Sequence, residues 1–346
     1  MFDALSTSLL LGLFTIAALV IAVGGTRMTG MADRLADRTG FGEALVGGVL
    51  LGAATSLSGT LVSLTSALDG RASLAFSNGI GGIAAQTAFL AVADLIYRRA
   101  NLEHAAADLA NVFQASLLIV MLGIPLLAWA TPEYAILGLH PGSFAILAIY
   151  IAGVRASHRL RQDPTWEPVD THETQLDEPD EPATSDNTTW GLALTFGTLM
   201  LFTGVSGYVI AKSAGVLVDR WGISASVIGA LATAVVTSLP ELVTTLAAVR
   251  RGALQLAVGG IIGGNTFDML FLTVSDAGYR DGSLYHAIGR ADLFWLVVGL
   301  LMTSVMMLGL LHRQEKGIGN IGWESVSMLT IYVGAILIAA LTPLAV

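Results

Sequence analysis

The sequence predicts an all-α integral membrane protein of ten transmembrane helices, arranged as two inverted five-helix repeats. Three observations predict it. Of 346 residues, 54% are hydrophobic and only 12% are charged, with a mean hydropathy of +0.72, about half the charge content of a soluble domain. Apolar runs long enough to cross a bilayer recur ten times along the chain. The second half of the chain also repeats the first at a constant offset.

The runs fall at about 6–25, 42–67, 72–97, 105–129 and 134–154, then at 190–213, 223–248, 253–277, 287–311 and 322–344. The first run follows Asp3 with no basic residue before it and is long enough to span, so it reads as a membrane helix and not as a cleavable signal. The two sets of five are separated by a polar stretch. Between Asp163 and Asp186 stand nine acidic residues, no lysine or arginine, and four of the nine prolines. That composition predicts a solvated acidic linker with no core of its own. The organisation expected is therefore 1–154 as the first five-helix repeat, 155–189 as the linker and 190–346 as the second repeat.

The offset between the halves is 182 residues, as between Asp37 and Asp219 or between Gly81-Gly82 and Gly263-Gly264. It also pairs Thr55-Ser56-Leu57 with Thr237-Ser238-Leu239, Asp94 with Asp276, His104 with His286 and Tyr150 with Tyr332. Over 55–94 and 237–276, 14 of 40 positions are identical. An odd number of spans per repeat forces the second repeat to enter the membrane from the opposite side, the inverted architecture of many secondary transporters. The basic residues suggest the orientation. With the linker in the cytoplasm and both termini outside, 12 of the 17 basic residues lie on the inner side, as the positive-inside rule requires.

Composition removes other classes. There are no cysteines, hence no disulfide and no thiolate metal site. No nucleophile–base set, nucleotide loop or basic stripe is present, so neither an enzyme nor a nucleic-acid binder is expected, and no cofactor. The partners expected are inorganic cations and the lipid bilayer.

The chemistry concentrates in the seventh and eighth runs. Glu241 and Asp268 are carboxylates within nearly apolar sequence, each beside helix-breaking residues: Pro240 in one case, Gly259-Gly260 and Gly263-Gly264 in the other. Intramembrane carboxylates are costly and are functional by default. Non-helical backbone at that depth is tolerated where it is buried in protein or lines a cavity. A hard cation takes oxygen ligands from carboxylates, hydroxyls and carbonyls, which Thr237 and Ser238 could supply beside Glu241. In the first repeat the matching positions hold Thr55, Ser56, Gly59 and Gln86, and Asn78 is a further oxygen or a helix–helix hydrogen bond. Asp94 and Asp276 read as interfacial partners of Arg98 and Arg280, His104 and His286 as interfacial, and Asp292 has only Arg290 as an obvious partner. Tyr150 and Tyr332 are expected to pack.

The stretches TSLPEL (237–242) and GGNTFDMLF (263–271) resemble the second α-repeat of the sodium/calcium exchanger branch of the cation/Ca²⁺ antiporter superfamily. Its pattern is roughly G-T-S-x-P-E followed by G-S-N-x-x-(N/D). Thr237, Ser238, Pro240, Glu241, Gly263, Asn265 and Asp268 fit, and Gly264 stands where the family usually has serine. The resemblance implies a secondary antiporter exchanging Ca²⁺ for Na⁺ across the cell membrane. It implies ion binding by Glu241 and Asp268, with Thr237, Ser238, Thr55, Ser56, Gln86, Asn265 and Asn78 as further oxygen sources. The first repeat departs from the pattern: Ser58 replaces the proline, Gly59 the glutamate and Ile83 the asparagine. Two carboxylates can neutralise one Ca²⁺ but leave less room for several Na⁺. Exchange coupled to H⁺, exchange of a monovalent cation, and a transport-inactive regulatory homologue therefore remain alternatives.

Overall fold

Alanine, glycine and serine fill much of the run at 72–97, and side chains this small let one helix be surrounded on every side. The computed structural model describes residues 2–39, 47–97, 99–106, 108–164, 166–169, 171, 189–315, 317 and 321–341, so most of the expected linker lies outside the described residues. After a 3₁₀ turn at Phe2–Ala4 come α1 (Thr7–Thr39), α2 (Gly47–Leu68), α3 (Ala72–Tyr97), the single turn α4 (Leu102–Ala105), α5 (Leu109–Ala130), α6 (Pro141–Gln162) and α7 (Thr189–Trp221). There follow α8 (Ala225–Val227), a π-helical segment Ile228–Thr233, α9 (Ala234–Thr237), α10 (Leu239–Arg251), α11 (Leu254–Asp268), α12 (Leu270–Gly278), α13 (Arg290–His312) and α14 (Trp323–Leu341).

Among the described residues, seven helical stretches are long and apolar enough to cross a membrane. They become eight when Ala225–Thr237 and Leu239–Arg251, bent by 46° at their junction, are taken as one broken span. Helices α2 and α6 occupy the second and fifth expected runs. Three helices run well past their expected ends, among them α7, which reaches Trp221. The first continues to Thr39, and α6 runs to Gln162, past the repeat boundary expected at 154, because the polar residues beyond each apolar run still favour helix.

Helix α3 is the central element, buried along nearly its whole length against α2, α11, α13, α14 and the π segment. Helices α1 and α7 pack chiefly on each other, and α7 also lies along α2. Glycine sets the closest approach. A methyl on Gly81 would stand 2.3 Å from the Cα of Ala230, and one on Gly229 would stand 2.9 Å from the Cβ of Ser77. Backbone against backbone at this distance brings the π segment onto α3 directly over the polar residues described below.

Two buried aspartates correct the expectation drawn from span ends. Asp94 accepts the backbone N–H of Leu102 at 2.7 Å and of Gly322 at 3.1 Å. Asp276 accepts the backbone N–H of Leu284 at 3.1 Å and of His140 at 2.8 Å, and the Ser143 hydroxyl at 2.8 Å. Both backbone partners of Asp94 are those of Asp276 displaced by 182 positions. Each aspartate ties the third helix of its own half to the start of the last helix of the other half, where free N–H groups need acceptors. Arg98 lies outside the described residues. The histidines obey the same rule: His104 meets the carbonyl of Arg313, and His286 that of Thr131, both at 2.7 Å. Asp292 is also partnered: it accepts the hydroxyls of Ser73 and Ser77 and the N–H of Gly289 at the start of α13. Tyr150 packs edge-on against Phe267.

Asp276→Ala strands two backbone donors and a hydroxyl, at about 1–3 kcal/mol for each buried group left unpaired. Thermal unfolding of the detergent-solubilised protein is expected to shift several degrees downward, and an unchanged midpoint would show that this cap carries no stability.

Candidate functional site

The helix that carries Glu241 is built to break. The π segment Ile228–Thr233 loosens it first, a feature frequent at functional sites. Ser238 then leaves helical conformation at φ −95°, ψ 3°. Pro240, in the first turn of α10, has no N–H with which to continue the ladder. Ser238 still donates its N–H to the carbonyl of Ala234 at 3.0 Å, and the ladder is lost where Val236 would have accepted from residue 240. The second carboxylate also sits at a junction: α11 ends at Asp268 and α12 starts at Leu270.

These two breaks face α2 and α3. Asp268 accepts the Ser56 hydroxyl at 2.7 Å through one oxygen and the Gln86 amide at 2.7 Å through the other. The same Gln86 amide reaches the Ser238 hydroxyl at 3.2 Å. Thr55 shares a side-chain hydrogen bond with Glu241. The wiring is reciprocal at the offset of 182: Ser56–Asp268 is the counterpart of Ser238–Gln86, and Thr55–Glu241 is the counterpart of Thr237 facing Gly59. Glu241 and Asp268 are 5% and 2% exposed.

Ser56, Gly59, Asn78, Gly82 and Gln86 from the first half, with Thr237, Ser238, Glu241, Asp268 and Phe271 from the second, line a tight pocket with no room for a free water-sized sphere. Two buried oxygens at this place accept no hydrogen bond from any described residue: Oε2 of Glu241 and Oε1 of Gln86. Buried acceptors without partners are rare in native proteins, and here they are oxygens of the type a hard cation takes. Among the described residues, no group of three or more His, Cys, Asp or Glu converges as a metal cluster. The carboxylate set at this place is therefore Glu241 and Asp268, to be completed by hydroxyl and amide oxygens.

Other candidate residues are placed differently. Asn78 lines the pocket, but its amide donates to the Gly59 carbonyl and the Ser63 hydroxyl, and its oxygen accepts from Thr233. Its hydrogen-bonding capacity is used in joining α2, α3 and the π segment. Asn265 is outside the pocket lining and donates to Thr87 at 3.1 Å. Thr237 donates to the carbonyl of Ala234. Two lining residues escaped sequence reasoning. Gly82 lies against both Asp268 and Ser238: a methyl there would make ordinary contact, 3.6 Å from each side chain. Phe271 occupies the space beside Gly59: a Cβ on that glycine would fall 2.6 Å from the phenyl ring. The repeated Gly-Gly pair signalled the first; nothing local signalled the second.

Helix α1 reaches the same place. A methyl on Gly25 would stand 2.4 Å from the Pro240 ring. At one end of the α1–α7 pair, Arg71 forms a two-pronged ion pair with Asp219, and Lys212 binds Asp69 at 2.6 Å. These contacts link α7 to the turn between α2 and α3.

The family model described as sodium/calcium exchanger protein matches residues 9–155 and 190–341. The putative antiporter CaxA of Alkalimonas amylolytica is 25% identical over 310 residues, covering 88% of this chain and 92% of that protein. The sodium/calcium exchanger MaX1 of Methanosarcina acetivorans is 32% identical over 117 residues, 34% of this chain and 31% of that protein. In fold, the chain is similar to the sodium-calcium exchanger NCX_Mj, with TM-score 0.58 and 18% identity over 97% of this chain and 100% of that one. It is also similar to native YfkE, with TM-score 0.64 and 14% identity over 95% and 92% of the two chains.

Proposed function

The chain belongs to the sodium/calcium exchanger family, whose members are secondary transporters and not enzymes, and we propose that it exchanges Ca²⁺ for Na⁺ across the cell membrane by alternating access. The observation that carries the reading is the meeting of Glu241 and Asp268 at two helix breaks, held by Thr55, Ser56 and Gln86 from the other half. In this reading Glu241 and Asp268 bind the cation. Ser56 and Gln86 orient Asp268, Thr55 orients Glu241, and the free Oε1 of Gln86 and the hydroxyls of Ser238 and Thr237 complete the oxygen set. Ten spans in two inverted repeats, 1–154 and 190–346, are supported by contacts that recur at the offset of 182. The α1–α7 pair would move against the remaining bundle, with Gly25 against Pro240 transmitting the motion to the site.

A second reading, coupling to H⁺ or transport of a monovalent cation, is favoured by one observation: Gly59 offers no carboxylate and Phe271 fills its place. Proteoliposomes decide between them. Calcium uptake driven by an outward Na⁺ gradient at equal pH is the expected result; uptake driven only by a pH gradient would establish the second reading, and no uptake under either gradient would refute both.

Orientation is tested separately. A cysteine at Ser185, in this cysteine-free chain, is expected to resist an impermeant thiol reagent added to intact cells and to react once the membrane is opened. Labelling from outside would place the linker, and with it the whole topology, the other way round.

A further inference from the structure

The two aspartate-centred junctions that tie the halves together are alike in backbone and unlike in side chain. At the Asp276 junction, the buried neighbours are Tyr285, whose hydroxyl meets that of Ser143 at 2.9 Å, and Gly142. Displaced by 182 positions, the neighbours of Asp94 are Glu103 on α4, where the other junction has Tyr285, and Glu324 in the first turn of α14, where it has Gly142. Both glutamates are 0% exposed. Their carboxyl groups lie within hydrogen-bonding reach of each other. None of their four oxygens accepts a hydrogen bond from an N–H or O–H of another described residue. Two ionised carboxylates cannot be buried in contact without a donor between them.

The place is built to hold them. Glycine at 309 on α13 leaves room for the stem of Glu324, since a Cβ there would stand 2.7 Å from its Cγ. Glu324 sits at the positive end of α14, which favours its ionised form. Burial first, then the charges of Asp94 and Glu324, hold the Glu103 carboxyl well above the usual carboxylate range.

We propose that Glu103 and Glu324 form a carboxylic acid–carboxylate pair, a proton-binding site distinct from the Glu241–Asp268 pocket, in which Glu103 carries the proton and donates it to Glu324. The charged and titratable groups around the pair are Asp94 on α3, His104 beside Glu103 on α4, and His312 at the end of α13, whose ring lies against Trp323. Asp94 accepts the N–H groups of Leu102 and Gly322, donors that favour its ionised form. No three-ligand metal grouping exists there among the described residues.

Protonation thereby governs how α14 docks onto α4 and α13. The docked state holds one proton that the opened state releases at neutral pH, because an exposed glutamate has a pKa of about 4.3. Docking is accordingly strongest near that value and weakens as pH rises above it, by up to about tenfold per pH unit in the opening equilibrium, until the docked pair itself loses the proton.

Two measurements on the purified full-length protein test this. Infrared difference spectra at neutral pH, parent minus variant, should show a protonated-carboxyl stretching band for both Glu103→Gln and Glu324→Gln. Either amide supplies the missing donor without changing shape, so both variants should fold. Hydrogen exchange over residues 321–330, corrected for intrinsic chemical exchange, should show an opening constant that rises with pH in the parent and is flat in Glu103→Gln. Absence of that band from both difference spectra, or parent opening that is independent of pH, would overturn the proposal. So would loss of the band on adding Ca²⁺ to Glu241→Gln, which would make the pair a metal site.

Discussion

Glu241→Gln is expected to remove most divalent-cation affinity. The substitution preserves the shape and the Thr55 contact but takes one of two charges from a pocket that excludes water. A desolvated divalent cation facing a single carboxylate is poorly compensated. Removing one partner from a buried charge pair typically costs about 2–5 kcal/mol, roughly thirtyfold to several thousandfold in Kd. Asp268→Asn should be nearly as severe. Its effect should also be imitated in part by Gln86→Leu, which removes the donor that orients Asp268. Isothermal titration with CaCl₂ reads all three. Parental affinity in Glu241→Gln would place the cation elsewhere.

Gly59→Glu is expected to fail by itself and to succeed with Phe271→Ala. A glutamate at 59 would direct a third carboxylate toward the pocket from the first half, the counterpart of Glu241. Its Cβ, however, collides with the phenyl ring of Phe271 at 2.6 Å and 2.9 Å. Overpacking of a tight interior costs about 1–3 kcal/mol, so the single variant should melt earlier and bind no better. Trimming Phe271 frees the space, and an added carboxylate raises affinity for a hard divalent ion. The double variant should therefore bind Ca²⁺ at least tenfold more tightly than Phe271→Ala alone, as read by the same titration. Equal affinity would show that residue 59 does not face the ion.

Much of the site was legible because the duplication was. Once Thr55-Ser56 is paired with Thr237-Ser238 and Gln86 with Asp268, an inverted repeat brings each element to its counterpart. The crossed contacts Ser56–Asp268 and Ser238–Gln86 follow from that geometry. The break before Glu241 was legible from Pro240, although the π segment upstream was not, since Ile228–Thr233 reads as ordinary apolar helix. Three things were hidden for physical reasons. Asp94 and Asp276 accept from helix starts 228 and 136 residues away, and no local pattern distinguishes such a cap from an interfacial carboxylate beside an arginine. Asn78 offers the right atoms for a ligand, but where its amide points is decided by Ser63 and Thr233 on neighbouring helices. The glycine at 59 signals a lost carboxylate, whereas its replacement by a phenyl ring from another helix is a packing outcome that one sequence does not display.

The most direct test of the central claim is anomalous diffraction from crystals of the protein soaked in strontium, a calcium surrogate. The account predicts a peak between the carboxylates of Glu241 and Asp268, within ligand distance of Gln86 and absent from crystals of Glu241→Gln. A strong peak away from both carboxylates, or one that survives that substitution unchanged, would contradict it.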